Sequence, residues 1–390
     1  MKKKKRIAIL FNASKAYDRK VISGIARYIQ QGINWDLYLE EDYLIHLEKI
    51  KSWKGDGIIA DFDDPNIIEY VKSQSVKAVG IGGSYLDPEK YPPGIPYVAT
   101  NNHIIAKLAV EHFVSLGYRN MAFYGLPDRA GNQWSREREE SFVYWQQELA
   151  PDAPDAHTYR GFLSSYKNWT KAMKRLEEWL IELPKPVAIL AATDTRARQL
   201  IEACRSAELK IPDQVAILGV DDDDIVNVLT GNRLSSVRQG SEYMGFLAAK
   251  LLDQQLKGEP VDPMVQVIEP IGIVQNASTD HFSVSDQVVK DAISYIKHHA
   301  CDGIQATHVL RHLNLSRANV ENRFRQHLNS SIHQEIVKVQ LAKVKQLLLQ
   351  SNMTLTEISE KTGYNTVQYM IMVFKKQTQL TPSQYREKFT

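Results

Sequence analysis

Val187-Ala188-Ile189-Leu190-Ala191-Ala192-Thr193-Asp194 and, one helical stretch later, Val215-Ala216-Ile217-Leu218-Gly219-Val220-Asp221-Asp222 are apolar runs that each end on polar residues. Between them Thr195–Glu208 repeats its apolar residues at helical spacing. Strand, helix, strand at this separation specifies a parallel sheet wrapped by right-handed crossovers, and so an α/β fold. Working outward, strands are expected at Arg6–Asn12, Trp35–Glu40, Gly57–Phe62, Val76–Gly82, Tyr97–Asn101 and Asn120–Gly125. Helices are expected at Asp18–Gln30, Ile104–Leu116, Arg136–Leu149, Trp169–Leu183 and Ser241–Lys257. Such sheets take their ligands at the carboxyl ends of the strands. Those ends carry Asn12 with Tyr17 and Asp18, Asp61 and Asp63, Asn101, Thr193 with Asp194, and the run Asp221-Asp222-Asp223-Asp224.

The 390 residues, 43% apolar and 24% charged, suffice for two or three domains with real cores. No apolar run approaches the roughly 18–20 residues that span a bilayer, so no membrane partner is expected. Met1–Arg6 followed by Ile7–Phe11 imitates a signal peptide, but the apolar part is too short, and the expectation is a first strand in a cytoplasmic protein. Cys204 and Cys301, far apart, give neither a disulfide framework nor a cysteine metal site. The net charge of +2 hides an asymmetry. There are 34 basic and 38 acidic residues through Ser283, against 14 and 8 from Val284 onward. A basic module behind a mildly acidic body points to a polyanion partner for that module alone. It holds only Gly303, Gly363 and Pro382 of the chain's glycines and prolines, so it reads as almost all helix.

A ring of strand-end carboxylates suits a small neutral polyol. An ionised carboxylate accepts hydrogen bonds from vicinal hydroxyls, while arginine and amides donate to the remaining lone pairs. Tyr17 and Trp134 offer aromatic faces for the apolar side of a sugar ring. Against this stand local roles: Asp61, Asp63 and Asp64 as turn residues, and Asp222–Asp224 as caps of a helix near Ile225. No acidic loop has calcium-binding spacing, so no metal site is expected. Enzyme signatures are also missing. Gly80-Ile81-Gly82-Gly83-Ser84 lacks dinucleotide-loop spacing, and there is no phosphate loop, Gly-x-Ser-x-Gly elbow or His-Glu-x-x-His. Binding without chemistry, and without a cofactor, is the expectation; a sugar-processing or nucleotide-dependent enzyme is the distant alternative.

Ala191–Asp194, Ile211–Asp222 and Leu234-Ser235-Ser236-Val237-Arg238-Gln239 together resemble the sugar-binding core of the lactose and galactose repressor family. Glu111–Tyr118 and Arg138–Phe142, similar to that family's Arg-x-x-Gly-Phe, extend the likeness. The resemblance implies a two-lobed, periplasmic-binding-protein-like domain over 1–278. Lobe 1 takes about 5–117 plus 241–262, and lobe 2 about 118–238 plus 264–278. It also implies Arg138 and Asp221 as the main ligand clamps, with Thr193 or Asp194 and Gln239 beside them. Asn101 stands where the family commonly has aspartate, and Ser141 replaces its glycine. The N-terminal DNA-binding helices of those repressors have no counterpart ahead of the first strand, so DNA binding is expected from elsewhere in the chain.

Past a linker at 279–283, the region 284–390 reads as short helix, turn and longer helix, twice. Ser283-Val284-Ser285-Asp286 opens a first helix, Asn314-Leu315 makes a turn and Ser316 caps the helix that follows. Thr354-Leu355-Thr356-Glu357 is a capping box, Gly363 turns the chain, and Asn365 is expected to cap the next helix. A connecting helix near Ile332–Gln350, at about 1.5 Å per residue, spans roughly 28 Å, similar to the ~34 Å between successive major-groove faces. The expected DNA-facing set is Ser316, Arg317, Ala318, Glu321, Asn322, Arg323 and Arg325 on the first reading helix. On the second it is Asn365, Thr366, Gln368, Ile371, Met372, Lys375 and Lys376. Ile358–Tyr364, Phe374-Lys375-Lys376 and Thr381–Arg386 resemble the arabinose-regulator (AraC/XylS) type of DNA-binding domain, with departures at Gln340, Met370, Asn329 and Gln379.

A repressor-like sugar domain ahead of an arabinose-type DNA-binding domain, with Ala16-Tyr17-Asp18-Arg19, Gly57–Asp64 and Phe123–Pro127, resembles the family of bacterial xylose operon activators. That resemblance implies D-xylose as effector, promoter DNA as partner, and activation of xylose uptake and catabolism genes. A homodimer and a contact with RNA polymerase are also expected. Composition and spacing reach only a small polyol, so another pentose stays open.

Overall fold

The computed structural model describes residues 4–40, 53–84, 92–161, 169–231, 233–261, 265–280, 286–328 and 330–389. The chain divides into two compact units, Met1–Glu111 with Arg119–His281, and His112–Tyr118 with Phe282–Thr390. In the first unit, strand runs such as Ile7-Ala8-Ile9-Leu10 and Val215–Leu218 are buried throughout. They have no polar face to give to solvent, so helices must cover both sides of the sheet, and parallel strands with helical crossovers do this. One sheet contains β1 (Lys5–Leu10), β2 (Trp35–Glu40), β3 (Gly57–Asp61), β4 (Lys77–Gly82), β5 (Tyr97–Thr100) and β11 (Val265–Ile268). Its order is β11-β5-β4-β3-β1-β2, parallel throughout. The other contains β6 (Asn120–Gly125), β7 (His157–Arg160), β8 (Val187–Ala191), β9 (Val215–Val220), β10 (Ser235–Arg238) and β12 (Gly272–Val274), in the order β12-β10-β9-β8-β6-β7. Only β12 runs antiparallel to its neighbour.

The helices of this unit are α1 (Ala16–Ile29), α2 (Pro65–Ser73), α3 (Asn102–Ser115, in this unit through Glu111), α4 (Gln133–Leu149), α5 (Trp169–Glu182), α6 (Asp194–Ser206), α7 (Asp224–Leu229) and α8 (Ser241–Lys257). The chain passes from one sheet to the other after β5, after β10 and after β11, which makes two lobes. α1 and α8 cover the first sheet, packing Val21, Ile25, Met244 and Leu252 on Ile59 and Val79. They approach so closely that a Cβ at Gly24 would lie 1.8 Å from the Glu242 carbonyl oxygen, and one at Gly245 would lie 1.9 Å from that of Val21.

Two expected boundaries are corrected. Val265–Ile268 pairs in parallel with Tyr97–Thr100 in the first sheet, so 264–278 does not belong whole to the second lobe. The physical reason is that α8 lies on the first sheet, and the chain leaving it meets that sheet's edge. Thr279, the first expected linker residue, is fully buried, its Oγ1 2.7 Å from Ser235 Oγ; the sheet unit therefore extends through it. Residues 281–283 of the expected linker, the opening Ser283–Ser285 and Asn329 lie outside the described residues. The sequence reading misses β7, β10, β11 and β12, each too short to show a period, with β7 mostly exposed, and omits α2, although its Ile67, Tyr70 and Val71 recur at helical spacing.

The second unit contains α9 (Gln287–His299), α10 (Ala306–Leu313), α11 (Arg317–Leu328), α12 (Ile332–Gln350), α13 (Leu355–Lys361), α14 (Val367–Thr378) and α15 (Pro382–Phe389). Asp286 caps α9, accepting from the Val289 N–H at 3.1 Å, and Thr354 and Glu357 form the reciprocal capping box of α13. α14 is capped by Thr366, whose hydroxyl accepts from the Tyr369 N–H at 3.2 Å, and not by Asn365. Thr366 is the residue in extended backbone immediately before the helix, where a short side chain reaches the third helical amide. The turn before α11 uses Asn314 at φ +53°, and the one before α14 uses Gly363 at φ +72°. Buried Gln340, on α12, donates from Nε2 to the Ala300 carbonyl at 2.9 Å and the Gly363 carbonyl at 3.2 Å, tying the two helix pairs to one brace.

The α1–α8 contact gives a direct test. Gly245→Ala forces a methyl into backbone and should destabilise the protein by about 1–3 kcal/mol or more. A thermal melt of the purified chain checks this; an unchanged midpoint would contradict the packing.

Candidate functional site

Arg138, on α4, is 2% exposed, and a buried guanidinium needs acceptors on every side. Its Nε and Nη2 donate to Asn102 Oδ1 at 3.1 and 2.8 Å, and Nη1 donates to the Ala192 carbonyl. Asn102 follows β5 of the first sheet and Ala192 follows β8 of the second, so this one side chain spans the lobes. The Asn102 amide in turn donates to Glu137 Oε2 at 3.2 Å. Trp134, one turn earlier, lies under the guanidinium with its ring centroid 5.1 Å away. Burial pushes the Arg138 pKa down to about 10, opposed by the nearby Asp221, Tyr17, Asp63 and Glu137. The sequence pointed to Asn101 at this strand end. The structure uses Asn101 Oδ1 to accept from the Ile104 N–H at 3.0 Å, as the cap of α3, and brings its neighbour Asn102 to Arg138. The signal for Asn102 was its place at a β5 carboxyl end, shared with Asn101.

Asp221 follows β9 in an unusual backbone conformation at φ +120°, with Asp222 also left-handed at φ +53°. Positive φ at non-glycine residues stores strain that the surroundings must hold in place. Gln239, just past β10, donates to Asp221 Oδ1 at 2.5 Å, while its own Oε1 is buried with no hydrogen-bond partner among the described residues. Burial raises the Asp221 carboxyl to about 6, opposed by Arg138, Gln239 and Lys20. The neighbouring acids serve the frame. Asp222 takes a two-pronged bond from Arg238 at 2.7 and 2.5 Å, and Asp223 caps α7 through the Ile225 N–H at 2.9 Å. Asp194 accepts from Ser236 Oγ and the Asp223 N–H, both at 2.7 Å, and Thr193 caps α6 through the Arg196 N–H at 3.2 Å. Of the residues expected on this lobe, Arg138, Asp221 and Gln239 converge. Thr193 and Asp194 use their oxygens to hold the turn.

On the first sheet, Asp18 is 1% exposed and its Oδ2 has no hydrogen-bond partner among the described residues; Lys15 Nζ is 4.0 Å from it and 3.6 Å from Asp61 Oδ2. Burial, with the Asp61 charge beside it, raises the Asp18 carboxyl to about 8. Asp61 accepts from the Asp63 N–H at 2.9 Å, and Asp63 from the Gly83 N–H at 2.8 Å, so both brace strand-end turns. The Tyr17 hydroxyl lies 3.4 Å from Thr100 Oγ1 and 3.6 Å from Met244 Sδ. Among the described residues no group of three or more His, Cys, Asp or Glu could hold a metal ion, and no helix is long and apolar enough to cross a membrane.

In the second unit, Ser316 Oγ lies 3.4 Å from the Asn319 N–H, at the start of α11. Ala318, Asn322 and Arg325 are exposed, as is Arg317, which lies 3.9 Å from half-buried Glu321. Arg323 is committed elsewhere: it pairs with Asp286 and donates to Asn319 Oδ1 at 2.7 Å, bracing the start of α9. On α14 and its approach, Asn365, Thr366, Gln368, Lys375 and Lys376 are exposed, Met372 is 58% exposed, and Ile371 is half-buried. Val320, Phe324, Met370 and Phe374 point into the cores. Tyr369, exposed beside Gln368, is a surface aromatic the sequence reading missed.

Residues 6–103 match the XylR N-terminal domain, 110–279 a periplasmic binding protein-like domain, and 309–388 a helix-turn-helix domain. The xylose operon regulatory protein of Escherichia coli (strain K12) is 39% identical over 99% of this chain and 97% of its own. That of Haemophilus influenzae is 38% identical over 98% of both. The solved structure of the xylose-binding transcription activator xylR superposes with a TM-score of 0.65 at 37% identity, covering 99% of this chain and 98% of that one. A dimeric Lac repressor, at 18% identity over 71% of this chain and 98% of its own, shares the fold with a TM-score of 0.55. A two-lobed sugar-binding fold joined to paired helix-turn-helix motifs defines a sugar-responsive transcription regulator, a protein that binds and does not catalyse. The chain belongs to the family of xylose operon regulatory proteins.

The Asp221 environment sets a pH dependence. Its carboxyl titrates near 6 in the fold and near 3.9 unfolded, so between these values the folded state holds more protons, and stability falls as pH rises through that window. Asp221→Asn removes the effect. Its stability relative to wild type should improve by about 2 kcal/mol from pH 4 to pH 7, measured by urea unfolding at several pH values; a constant difference would contradict the raised pKa.

Proposed function

We propose that the strand-end cleft binds D-xylose and that the second unit, acting in a homodimer, activates promoters of xylose uptake and catabolism genes through contact with RNA polymerase. The observation that carries the effector reading is a pair of buried carbonyl and carboxyl oxygens, Gln239 Oε1 and Asp18 Oδ2, without a hydrogen bond among the described residues. A buried acceptor costs about 1–3 kcal/mol when unpaired, so the cleft favours a ligand that brings hydroxyl donors. Asp221 accepts from such hydroxyls, Arg138 donates to a ring or hydroxyl oxygen, and Trp134 offers its face to the C–H side. The choice of xylose among pentoses rests on the two relatives, both xylose operon regulatory proteins, and on the solved xylose-binding transcription activator.

DNA recognition follows from α11 and α14, whose polar amides suit base edges and whose cations suit phosphates. Exposed Met372 sits where a solvated helix would carry charge, and the thymine methyl is the apolar group that the major groove presents.

Calorimetric titration with D-xylose, L-arabinose and D-ribose tests the effector. Xylose should bind tightest, and Asp221→Asn should weaken it about ten- to hundredfold while the fold is kept; binding of none of the three would end the reading. Met372→Ala should cost about 1–3 kcal/mol at the specific site and little on random DNA. Equal losses on both would place Met372 outside base reading.

A further inference from the structure

The turn that carries Asp221 is held from the opposite lobe. Lys20, on α1 of the first lobe, places Nζ 2.7 Å from the Asp221 carbonyl oxygen and 2.6 Å from that of Asp222. Beside it Arg19 Nη2 lies 3.2 Å from Asp223 Oδ1. Two successive carbonyls thus converge on one ammonium, in a turn where Asp221 and Asp222 both take positive φ. From its own lobe the turn is fixed by Arg238 and Ser236 on Asp222, and by Asp194 on the Asp223 N–H. The strained turn is therefore anchored rigidly to the second lobe, and Lys20 with Arg19 form a charged strap across to it.

We propose that Lys20, aided by Arg19, is a positioning residue for the effector site: a latch that favours the closed arrangement of the lobes and holds Asp221 ready to accept sugar hydroxyls. This rests on the cleft being the effector site. A ligand that binds only the closed arrangement has an apparent affinity scaled by the closed fraction, so removing the latch weakens binding without touching the sugar. Lys20 also favours the ionised form of Asp221, alongside Arg138 and the Gln239 amide and against the negative charges of Asp223, Asp194 and Asp18. Loss of that cation must shift the pH range over which the site binds, which a purely structural contact would not do.

The test uses the full chain with Lys20→Met, which keeps length and removes charge, and Lys20→Arg as the conservative variant. Lys20→Met should weaken D-xylose binding about tenfold, with the order of preference among xylose, arabinose and ribose unchanged. The midpoint of its affinity-versus-pH curve should move upward, and Lys20→Arg should restore most of the affinity. Spin labels at Lys72→Cys and Glu182→Cys, in a Cys301→Ser background, should report a longer and broader distance between lobes without sugar in Lys20→Met than in the parent. Unchanged affinity with an unchanged distance would overturn the latch. So would weaker affinity with an altered sugar preference and an unchanged distance, since Lys20 would then be a ligand contact. If the parent chain binds none of the sugars, the reading of the cleft fails, and the label distances alone still decide whether the strap holds the lobes.

Discussion

A guanidinium leaves water at high cost unless it meets acceptors inside the fold, and Arg138 has left water almost completely. Its acceptors come from the two ends of the fold: the Asn102 side chain after β5 and the Ala192 carbonyl after β8. Satisfying it brings the carboxyl ends of the two sheets to one place. It also opposes the burial that would otherwise neutralise the Asp221 carboxylate. The cleft follows from this requirement. Donors are fixed by Asn102 and Trp134, acceptors are fixed by the Asp221 turn and Gln239, and the unsatisfied oxygens point to what a hydroxyl-rich ligand supplies. Such an arrangement is costly without a ligand, which is the usual relation between a prepared site and stability.

The helical unit obeys a different constraint. Each short helix pair is too small to bury much by itself, and α12 gives both a common wall: Ile336 belongs to the first core, while Val344 and Leu348 are buried further along. Gln340 between them satisfies the carbonyls of Ala300 and Gly363, the closing points of two turns. A Cβ at Gly363 would come within 2.6 Å of the Gly303 nitrogen, so the two turns meet backbone to backbone. The spacing of α11 and α14 is thus set by one helix, as the proposed reading of adjacent grooves needs.

Much of this was legible in sequence because its signals are local. Buried apolar runs such as Val215–Val220 and capping boxes such as Thr354–Glu357 are written in a few consecutive residues, and Arg138 and Asp221 were reached by resemblance. What was not legible depends on contacts distant in sequence. β11 joins the first sheet only because α8 lies there. Asn102 and Asn101 look alike in a string, and only the direction of α3 makes one a cap and the other a partner of Arg138. Asp194 and Thr193 stand at a strand end as expected, yet Ser236 and the Asp223 and Arg196 amides claim their oxygens. Lys20, one of two adjacent cations after Asp18 on α1, gives no sign that it reaches residues two hundred positions away.

The central claim is that the cleft and the DNA-reading helices share one equilibrium. Linkage makes this testable from either side, because a sugar that strengthens operator binding must be bound more tightly, by the same factor, when the operator is present. D-xylose affinity should therefore be measured by calorimetry with and without saturating promoter DNA, and promoter affinity with and without saturating D-xylose. The account predicts equal factors above one, on the order of 5–150. Sugar and DNA that bind independently, each unaffected by the other, would contradict it.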